Sequence, residues 1–295
     1  MRVSILGTLR TARRLLAGLK RRIWRPAFVE AGVRRLTFHL ADEGDVQFAE
    51  WLHAVSAEPV ITQAKVDFFK RFIRTGDLAI DIGAHEGDTT VPMALAAGRE
   101  GTVLAIDPNP FVFKVLAENA GLNLTKTHII PLNFAAACDD ADYIFASGDP
   151  SFINGGIVGY SHNRAGNTRY RFTVPGKNLA RFLNEHYGDL LDRLTFIKID
   201  VEGYDKEVLR NLSGILAQYR PVVVAECFGE LTRRERGELF HALADHEYRV
   251  FSLAEHEPWL GRPSPAGVDT LRELGEQDMS VHTHFDLIGI PTEKR

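Results

Sequence analysis

The chain has 295 residues, enough for one large domain or for one domain with extensions, and 45% of them are hydrophobic, as is usual for globular proteins. A formal net charge of -4 gives no overall reason to expect a nucleic-acid partner. The two cysteines, Cys138 and Cys227, lie far apart, which suits a reducing compartment and argues against a disulfide framework or a cysteine-based zinc site. No apolar run reaches the roughly 20 residues of a membrane-spanning helix. We therefore expect a soluble, cytoplasmic protein, at least in its main body.

The first 30 residues differ from that average because they are strongly basic. No acidic residue precedes Glu30, and apolar residues at positions 5, 9, 12, 16, 19 and 23 follow the spacing of one helical face. We predict a basic amphipathic helix within residues 1–30. Two roles remain open: peripheral contact with an anionic membrane surface through residues 1–25, or packing on its own domain or a partner.

Residues 31–74 form an N-terminal extension, in which a strand-like run at 33–50 precedes a helical pattern between Val60 and Arg74. From Leu78 onward, strands alternate with helical patterns of about a dozen residues, which predicts βαβ units and a mostly parallel sheet. The final two strands have no convincing helix between them, so we expect an antiparallel edge. They are joined by a long connection, residues 255–283, which is either a substrate lid or a disordered or structural insertion.

The segment Leu78 to Thr90, LAIDIGAHEGDTT, has the order of a buried strand, a tight turn and a helix N-terminus. Such a junction directs backbone N–H groups and the positive end of a helix dipole at one point. Gly83 and Gly87 allow unusual backbone angles and a close approach by a ligand. Asp81 lies where open α/β sheets bind their ligands. The alternative is an ordinary turn without a ligand.

A second acid, Asp107, ends the next strand, TVLAID, 24 residues beyond Gly83. An acid at about this distance from a glycine loop is placed to accept hydrogen bonds from ribose hydroxyls. His85 stands where a dinucleotide-binding fingerprint requires its second glycine, so close approach of a pyrophosphate is not provided for. The pattern therefore favours S-adenosylmethionine over NAD.

A third cluster lies in LTFIKIDVEGYDKEVL. Strand alternation places Lys198, Asp200 and Glu202 on one side if the strand continues that far. Buried charges at a strand end either pair with one another, here as a Lys198–Asp200 ion pair, or face a functional site. The next strand, PVVVAEC, also ends in an acid, Glu226. Four neighbouring strands therefore deliver Asp81, Asp107, Asp200 and Glu226 to one sheet edge.

The segments DIGAHEGDTT, AIDPNP, IKIDVEGYDKEVL and VVVAE together resemble the FkbM-type methyltransferases over roughly residues 75–255, with HFDLIGI as a further family strand. We accordingly assign residues 75–295 to an FkbM-like domain. The resemblance implies a class I, Rossmann-like α/β fold with a seven-stranded sheet, mostly parallel, with one antiparallel edge strand. It also implies S-adenosylmethionine-dependent O-methylation of a sugar, a glycan or another hydroxyl-bearing small molecule.

Carried over by position, the resemblance implies that Asp81, Gly83 and Gly87 cradle the methionine part of the cofactor, in a loop that includes His85, and that Asp107 binds the ribose. Asp200 and Glu202 would face the methyl-transfer site. The chain departs from the family at Asn178-Leu179-Ala180, where members often have Thr-Leu-Asp, so that Ala180 stands in the position of the family's Asp.

An alcohol is a poor nucleophile, so we expect a general base, with Asp200 the first candidate, Glu202 the next and Lys198 an orienting partner. His85 is an outside candidate for the base. Asp200 and Glu226 could instead hold Mg²⁺, but no tight ligand motif supports this, and we predict no metal site. Two other functions remain open: an NAD-type oxidoreductase or epimerase, and a non-catalytic, membrane-associated scaffold that binds the cofactor. The sequence does not indicate the oligomeric state.

Overall fold

The computed structural model describes residues 32–53, 58–147, 155–158, 170–263, 271–280 and 284–294. The basic helix predicted within residues 1–30 lies outside these ranges, and its membrane contact stays a prediction. Within the described ranges, no helix is long and apolar enough to cross a membrane.

The strands of the described residues, in chain order, are β1 (Val33–Leu40), β2 (Gly44–Trp51), β3 (Leu78–Ile82), β4 (Thr102–Ile106), β5 (Ile129–Leu132), β6 (Ala135–Ala137), β7 (Asp142–Ser147), β8 (Gly156–Ile157), β9 (Tyr170–Asn178), β10 (Leu194–Ile199), β11 (Val222–Cys227), β12 (Tyr248–Ser252), β13 (Arg272–Glu273) and β14 (Phe285–Pro291). The α-helices there are α1 (Gln63–Lys70), α2 (Thr90–Ala97), α3 (Val112–Gly121), α4 (Leu179–Tyr187), α5 (Asp205–Asn211), α6 (Ser213–Tyr219) and α7 (Arg233–Ala244). Two 3-10 helices cover Gly188–Arg193 and Glu276–Ser280.

The main sheet, as far as the chain is described, has eight strands in the order β13-β12-β14-β11-β10-β3-β4-β5. Strands β11, β10, β3, β4 and β5 run parallel, and β14 runs antiparallel to both β11 and β12. The predicted class I α/β fold is confirmed, with two corrections of detail. The antiparallel strand is not at the edge, because β14 returns between β11 and β12 and pairs with both. The two-residue strand β13 adds an eighth strand beyond the predicted seven.

The central strands are apolar on both faces, as expected for parallel strands covered by helices on each side. In β3, Ile80 and Ile82 belong to one apolar cluster, whereas Ala79 belongs to the cluster on the opposite face. The register pairs Lys198 of β10 with Asp81 of β3, so these two charged residues are cross-strand neighbours. Every residue of α2 is buried, so this helix has no side that faces solvent and its sequence needs no polar face.

The N-terminal extension packs beside the segment that follows β3. Strands β1 and β2 form an antiparallel hairpin. The Asn119 side chain of α3 accepts a hydrogen bond from the Ala49 N–H at 2.6 Å and donates to the Ala49 carbonyl at 2.9 Å. The same amide group donates to the Glu86 carbonyl at 2.7 Å. One buried side chain thus joins the hairpin, α3 and the glycine loop.

The described residues also form a smaller sheet, in the order β6-β9-β7-β8. Its strands contribute Phe145 and Ile157 to the same apolar cluster as one face of the main sheet. In the long connection, Trp259 packs against Phe68 and donates its indole N–H to Asp286 Oδ2 at 2.7 Å. None of residues 255–263 and 271–280, the described parts of this connection, lines the main cavity. Its role as a lid stays a prediction.

Candidate active site

The sheet brings four acids to one edge. Strands β11, β10, β3 and β4 are consecutive neighbours in the sheet. Their carboxyl ends carry Glu226, Asp200, Asp81 and Asp107, in that spatial order. Since ligands of open α/β sheets bind beyond the carboxyl ends of the strands, this edge is the candidate active site.

Lys198 links the acids of β3 and β10. Its Nζ lies 3.4 Å from Asp81 Oδ1 and 3.2 Å from Asp200 Oδ2, and it donates to the Gly83 carbonyl at 3.2 Å. Although burial lowers it, the carboxylates of Asp200 and Asp81 raise the pKa of Lys198 above its ordinary value, so Lys198 stays charged. Asp81 also accepts a hydrogen bond from the Thr90 hydroxyl at 2.6 Å. Asp81 does not line the cavity; it lies beneath it and positions Lys198 and the first turn of α2.

Gly83 brings the loop after β3 against the turn after β10. Its φ is 77°, and a Cβ at this position would lie 1.8 Å from the Asp200 carbonyl oxygen. The Asp200 N–H donates to the Ile82 carbonyl at 2.9 Å, and the N–H groups of Gly83 and Ala84 both donate to the Ile106 carbonyl. The segments after three strands are therefore held to one another by backbone contacts, and only glycine fits at the centre of them.

We expect the substitution Gly83→Ala to destabilise the protein by about 3 kcal/mol, because a side chain here meets both a positive φ and a rigid backbone oxygen. The free energy of unfolding in urea measures this. Gly237→Ala is the matched control, since Gly237 lies inside α7 with open space around it. That substitution should stabilise the helix by about 1 kcal/mol. Equal stability of the Gly83→Ala variant and the unaltered protein would contradict the packing described above.

Asp107 holds the rim of the cavity in place. Its Oδ2 accepts the His85 N–H at 2.8 Å and its Oδ1 accepts the Asn109 N–H at 2.8 Å. Burial raises the pKa of Asp107, partly offset by its neighbours. Two buried polar atoms of this region, His85 Nε2 and Asn109 Nδ2, have no hydrogen-bond partner among the described residues. Both residues line the cavity, so each offers a polar group to a ligand there.

The rest of the glycine loop packs against the N-terminal hairpin. His85 has a φ of 49° and its ring meets that of Trp51 edge-on, with 6.4 Å between the ring centres. The Glu86 carboxylate accepts the Trp51 N–H at 2.9 Å, and burial raises the pKa of Glu86 to about 8. Gly87 has a φ of 97° and lies against Leu116 rather than the cavity. The hairpin therefore fixes the shape of the loop from outside the site.

Beyond the ends of β10 and β11, Asp200, Glu202 and Glu226 each place a carboxylate oxygen within 4.8 Å of the others. Asp200 follows β10 and Glu226 belongs to β11. Glu202 does not arrive by strand alternation, because β10 ends at Ile199. A left-handed residue conformation, with a φ of 56° at Glu202, turns the chain towards α5 instead. Asp200, Glu202 and Glu226 therefore converge, but Glu202 joins the group through a turn and not through strand alternation.

Further acids surround this group of three. Burial, followed by the charges of Asp200 and Asp205, raises the pKa of Glu226 to about 12. Burial and Asp200 likewise raise the pKa of Asp205 to about 7, and burial and Asp200 raise that of Asp286. His284 Nε2 lies 3.4 Å from Glu226 Oε1. The buried acids of this group therefore ionise less readily than an exposed carboxyl group does.

Both sides meet in a single cavity of about 380 Å³. Asp107 and Asn109 follow β4, on one side of β3, whereas Asp200 and Glu226 lie at the ends of β10 and β11, on the other side of β3, and all four line the cavity. His85, from the loop after β3, lines it as well. This volume falls within the range of small-molecule sites. The cavity can therefore hold two reacting groups, one beside the glycine loop and one beside the carboxylates.

Sequence reasoning did not identify three residues of this region. Asn109 stands two residues after Asp107 in the segment DPN. This short distance from a strand-ending acid was the signal that could have identified Asn109 as a site residue. Asp286 and His284 lie at the beginning of β14, and the sequence pattern favoured acids at strand ends.

The strand order, with β14 inserted antiparallel between β11 and β12, and the acid that follows β4 define a class I methyltransferase fold. The family model for the methyltransferase FkbM domain matches residues 81–258, which is more than half of the chain. The chain belongs to the FkbM methyltransferase family.

Solved structures similar to this chain share little sequence with it. Precorrin-6y C5,15-methyltransferase from Geobacter metallireducens GS-15 is 13% identical, with a TM-score of 0.42, over 81% of this chain and 93% of that one. Methyltransferase FkbM from Methylobacillus flagellatus KT is 11% identical, with a TM-score of 0.39, over 77% of this chain and 51% of that one. TYW2 of M. jannaschii, solved in complex with AdoMet, is 14% identical, with a TM-score of 0.39, over 90% and 88%. No curated protein matches the sequence.

Proposed function

We propose that this methyltransferase uses S-adenosylmethionine to methylate a hydroxyl group of a sugar, a glycan or another small molecule. The observation that carries the proposal is the two-sided cavity. Groups suited to a nucleoside, Asp107 and Asn109, line one side, and the carboxylates of Asp200 and Glu226 line the other. A hydroxyl acceptor needs an acceptor for its proton, and carboxylates supply that chemistry.

The residues present fit the cofactor. The Asp107 carboxylate keeps lone pairs for ribose hydroxyls after accepting its two backbone N–H groups. The Asn109 amide is a buried donor without a partner among the described residues, and it lies where a nucleoside would bind. The loop between Gly83 and Gly87, shaped by the hairpin, would hold the methionine part.

S-adenosylmethionine supplies a sulfonium methyl group that an acceptor oxygen can displace in line. The task left to the protein is alignment, which is worth several kcal/mol, and removal of the acceptor proton. We assign that proton to Asp200; its contact with Lys198 at 3.2 Å and its position in the cavity lining support this assignment. Glu202, in the same group of carboxylates, is the next candidate.

Cofactor choice is tested by thermal unfolding of the full chain with S-adenosylmethionine or with NAD. At a concentration of 100 times its Kd, a ligand stabilises the folded state by about 2.7 kcal/mol. For a chain of this size, that corresponds to an increase in Tm of about 4 °C. We expect this increase with S-adenosylmethionine and no change with NAD. An increase with NAD alone would instead favour an oxidoreductase or epimerase.

A further inference from the structure

The carboxylate side of the cavity brings three acidic side chains together. Asp200, Glu202 and Glu226 come from three separate backbone segments, yet their oxygens lie within 4.8 Å of one another. Lys198 is shared with Asp81, and its ammonium group also donates to the Gly83 carbonyl. A group of acids alone does not define a binding site, so a second observation is needed.

The buried member of the group gives the second observation. Glu226 is 3% exposed, and its Oε2 has no hydrogen-bond partner in the described part of the chain. Its Oε1 lies 3.4 Å from His284 Nε2. Glu226 lines the cavity together with Asp200 and Glu202. A buried carboxylate oxygen without a donor is costly, and a bound cation would remove that cost.

We propose that Asp200, Glu202 and Glu226 form a binding site for a divalent cation of the Mg²⁺ or Mn²⁺ type. Hard cations of this kind take oxygen ligands, and Mg²⁺ holds them at 2.0–2.1 Å in octahedral geometry. Of three oxygens around an octahedral ion, at least two pairs are adjacent, and adjacent oxygens are about 2.9 Å apart. The observed separations, within 4.8 Å, mean that the carboxylates must move towards one another by about 1–2 Å when the ion binds. Three single-oxygen carboxylate ligands would leave about three positions for water or for oxygens of the acceptor.

The use of the ion rests on the proposed function, whereas its binding does not. An acceptor hydroxyl coordinated to the ion would have a lowered pKa, which makes it a better nucleophile. An acceptor with two adjacent hydroxyls could occupy two of the open positions at once. In this arrangement Asp200 is a ligand of the ion, and the ion takes over part of the activation assigned above to Asp200 as a base. The site therefore selects hydroxyl-rich acceptors.

Binding is measured with Mn²⁺ by electron paramagnetic resonance, which counts the free ion, and with Mg²⁺ as competitor. We expect one Mn²⁺ per chain, displaced by Mg²⁺. Glu226→Gln keeps the size of the buried side chain and removes its ability to become a carboxylate ligand, so it should fold normally and weaken Mn²⁺ binding at least about tenfold. Asp200→Asn should weaken it similarly. Glu185→Gln is the matched control on an exposed part of α4 and should bind as the unaltered chain does.

S-adenosylmethionine binding, measured by calorimetry on the same samples, separates the two proposals. Cofactor binding without Mn²⁺ binding at millimolar concentration would overturn the ion site and leave the proposed function intact. Mn²⁺ affinity that is equal in the Glu226→Gln variant and the unaltered chain would also overturn it. Mn²⁺ binding without cofactor binding would support the ion site and contradict the proposed function. Melting curves of each variant confirm that it is folded.

Discussion

The substitution Asp107→Ala should weaken S-adenosylmethionine binding at least about 100-fold, as measured by calorimetry. Hydrogen bonds to a charged group contribute about 1.5–3 kcal/mol each, and the carboxylate can accept from both ribose hydroxyls. A loss of about 3 kcal/mol corresponds to about 100-fold in Kd. Asp142→Ala, which removes an exposed carboxylate of β7, is the control and should leave the affinity unchanged.

Asp107 also accepts hydrogen bonds from the N–H groups of His85 and Asn109. Part of the lost affinity could therefore come from a loop that has lost its shape. The 2′-deoxy form of the cofactor separates these effects. If the Asp107 carboxylate binds the ribose, the unaltered protein should prefer the natural cofactor, and the Asp107→Ala variant should lose that preference. A variant that keeps the full preference, or that binds the cofactor as tightly as the unaltered protein, would overturn the ribose assignment.

The substitution Asp200→Asn should slow methyl transfer by about 10²- to 10⁴-fold, the usual contribution of a general base. The Kd of S-adenosylmethionine should change by no more than about twofold, because Asp200 lies on the opposite side of the cavity from Asp107. Single-turnover rates and calorimetry measure the two quantities separately. An unchanged rate would remove Asp200 from the chemistry of the site.

Two companion variants sharpen this test. Asp192→Asn changes an exposed acid just before β10, at the opposite end of the same strand, and should have no effect on rate or binding. Glu202→Gln tests the second candidate for the base. If Glu202→Gln slows transfer as strongly as Asp200→Asn while both variants bind the cofactor, the two carboxylates act as one unit, as the ion site requires.

The fold and much of the candidate site could be predicted because parallel strands impose simple rules. Apolar runs that alternate with helices predict the sheet, and the carboxyl ends of parallel strands lie at one edge. Asp107 and Asp200 follow their strands directly, so their positions could be read from the chain. The predicted Lys198–Asp200 ion pair is present, and the sheet register adds Asp81 as a second neighbour of Lys198.

The residues that could not be predicted belong to segments that break those rules. Strand β14 runs antiparallel, so its first residues, rather than its last, reach the active edge; this brings His284 and Asp286 to Glu226. Strand β9 contains Pro175 and Gly176, which obscure the alternation typical of a strand. The contact of Glu86 with the hairpin depends on packing between segments that are far apart in sequence.

The most direct test of the account follows a labelled methyl group from S-adenosylmethionine onto a panel of sugars, glycans and other hydroxyl-bearing small molecules. We expect a methyl ether to form, one for each S-adenosylhomocysteine released, with the full chain and not with the Asp200→Asn variant. Transfer only to nitrogen or carbon atoms would contradict hydroxyl methylation. Tight cofactor binding without transfer to any member of the panel would count against the acceptor classes proposed here.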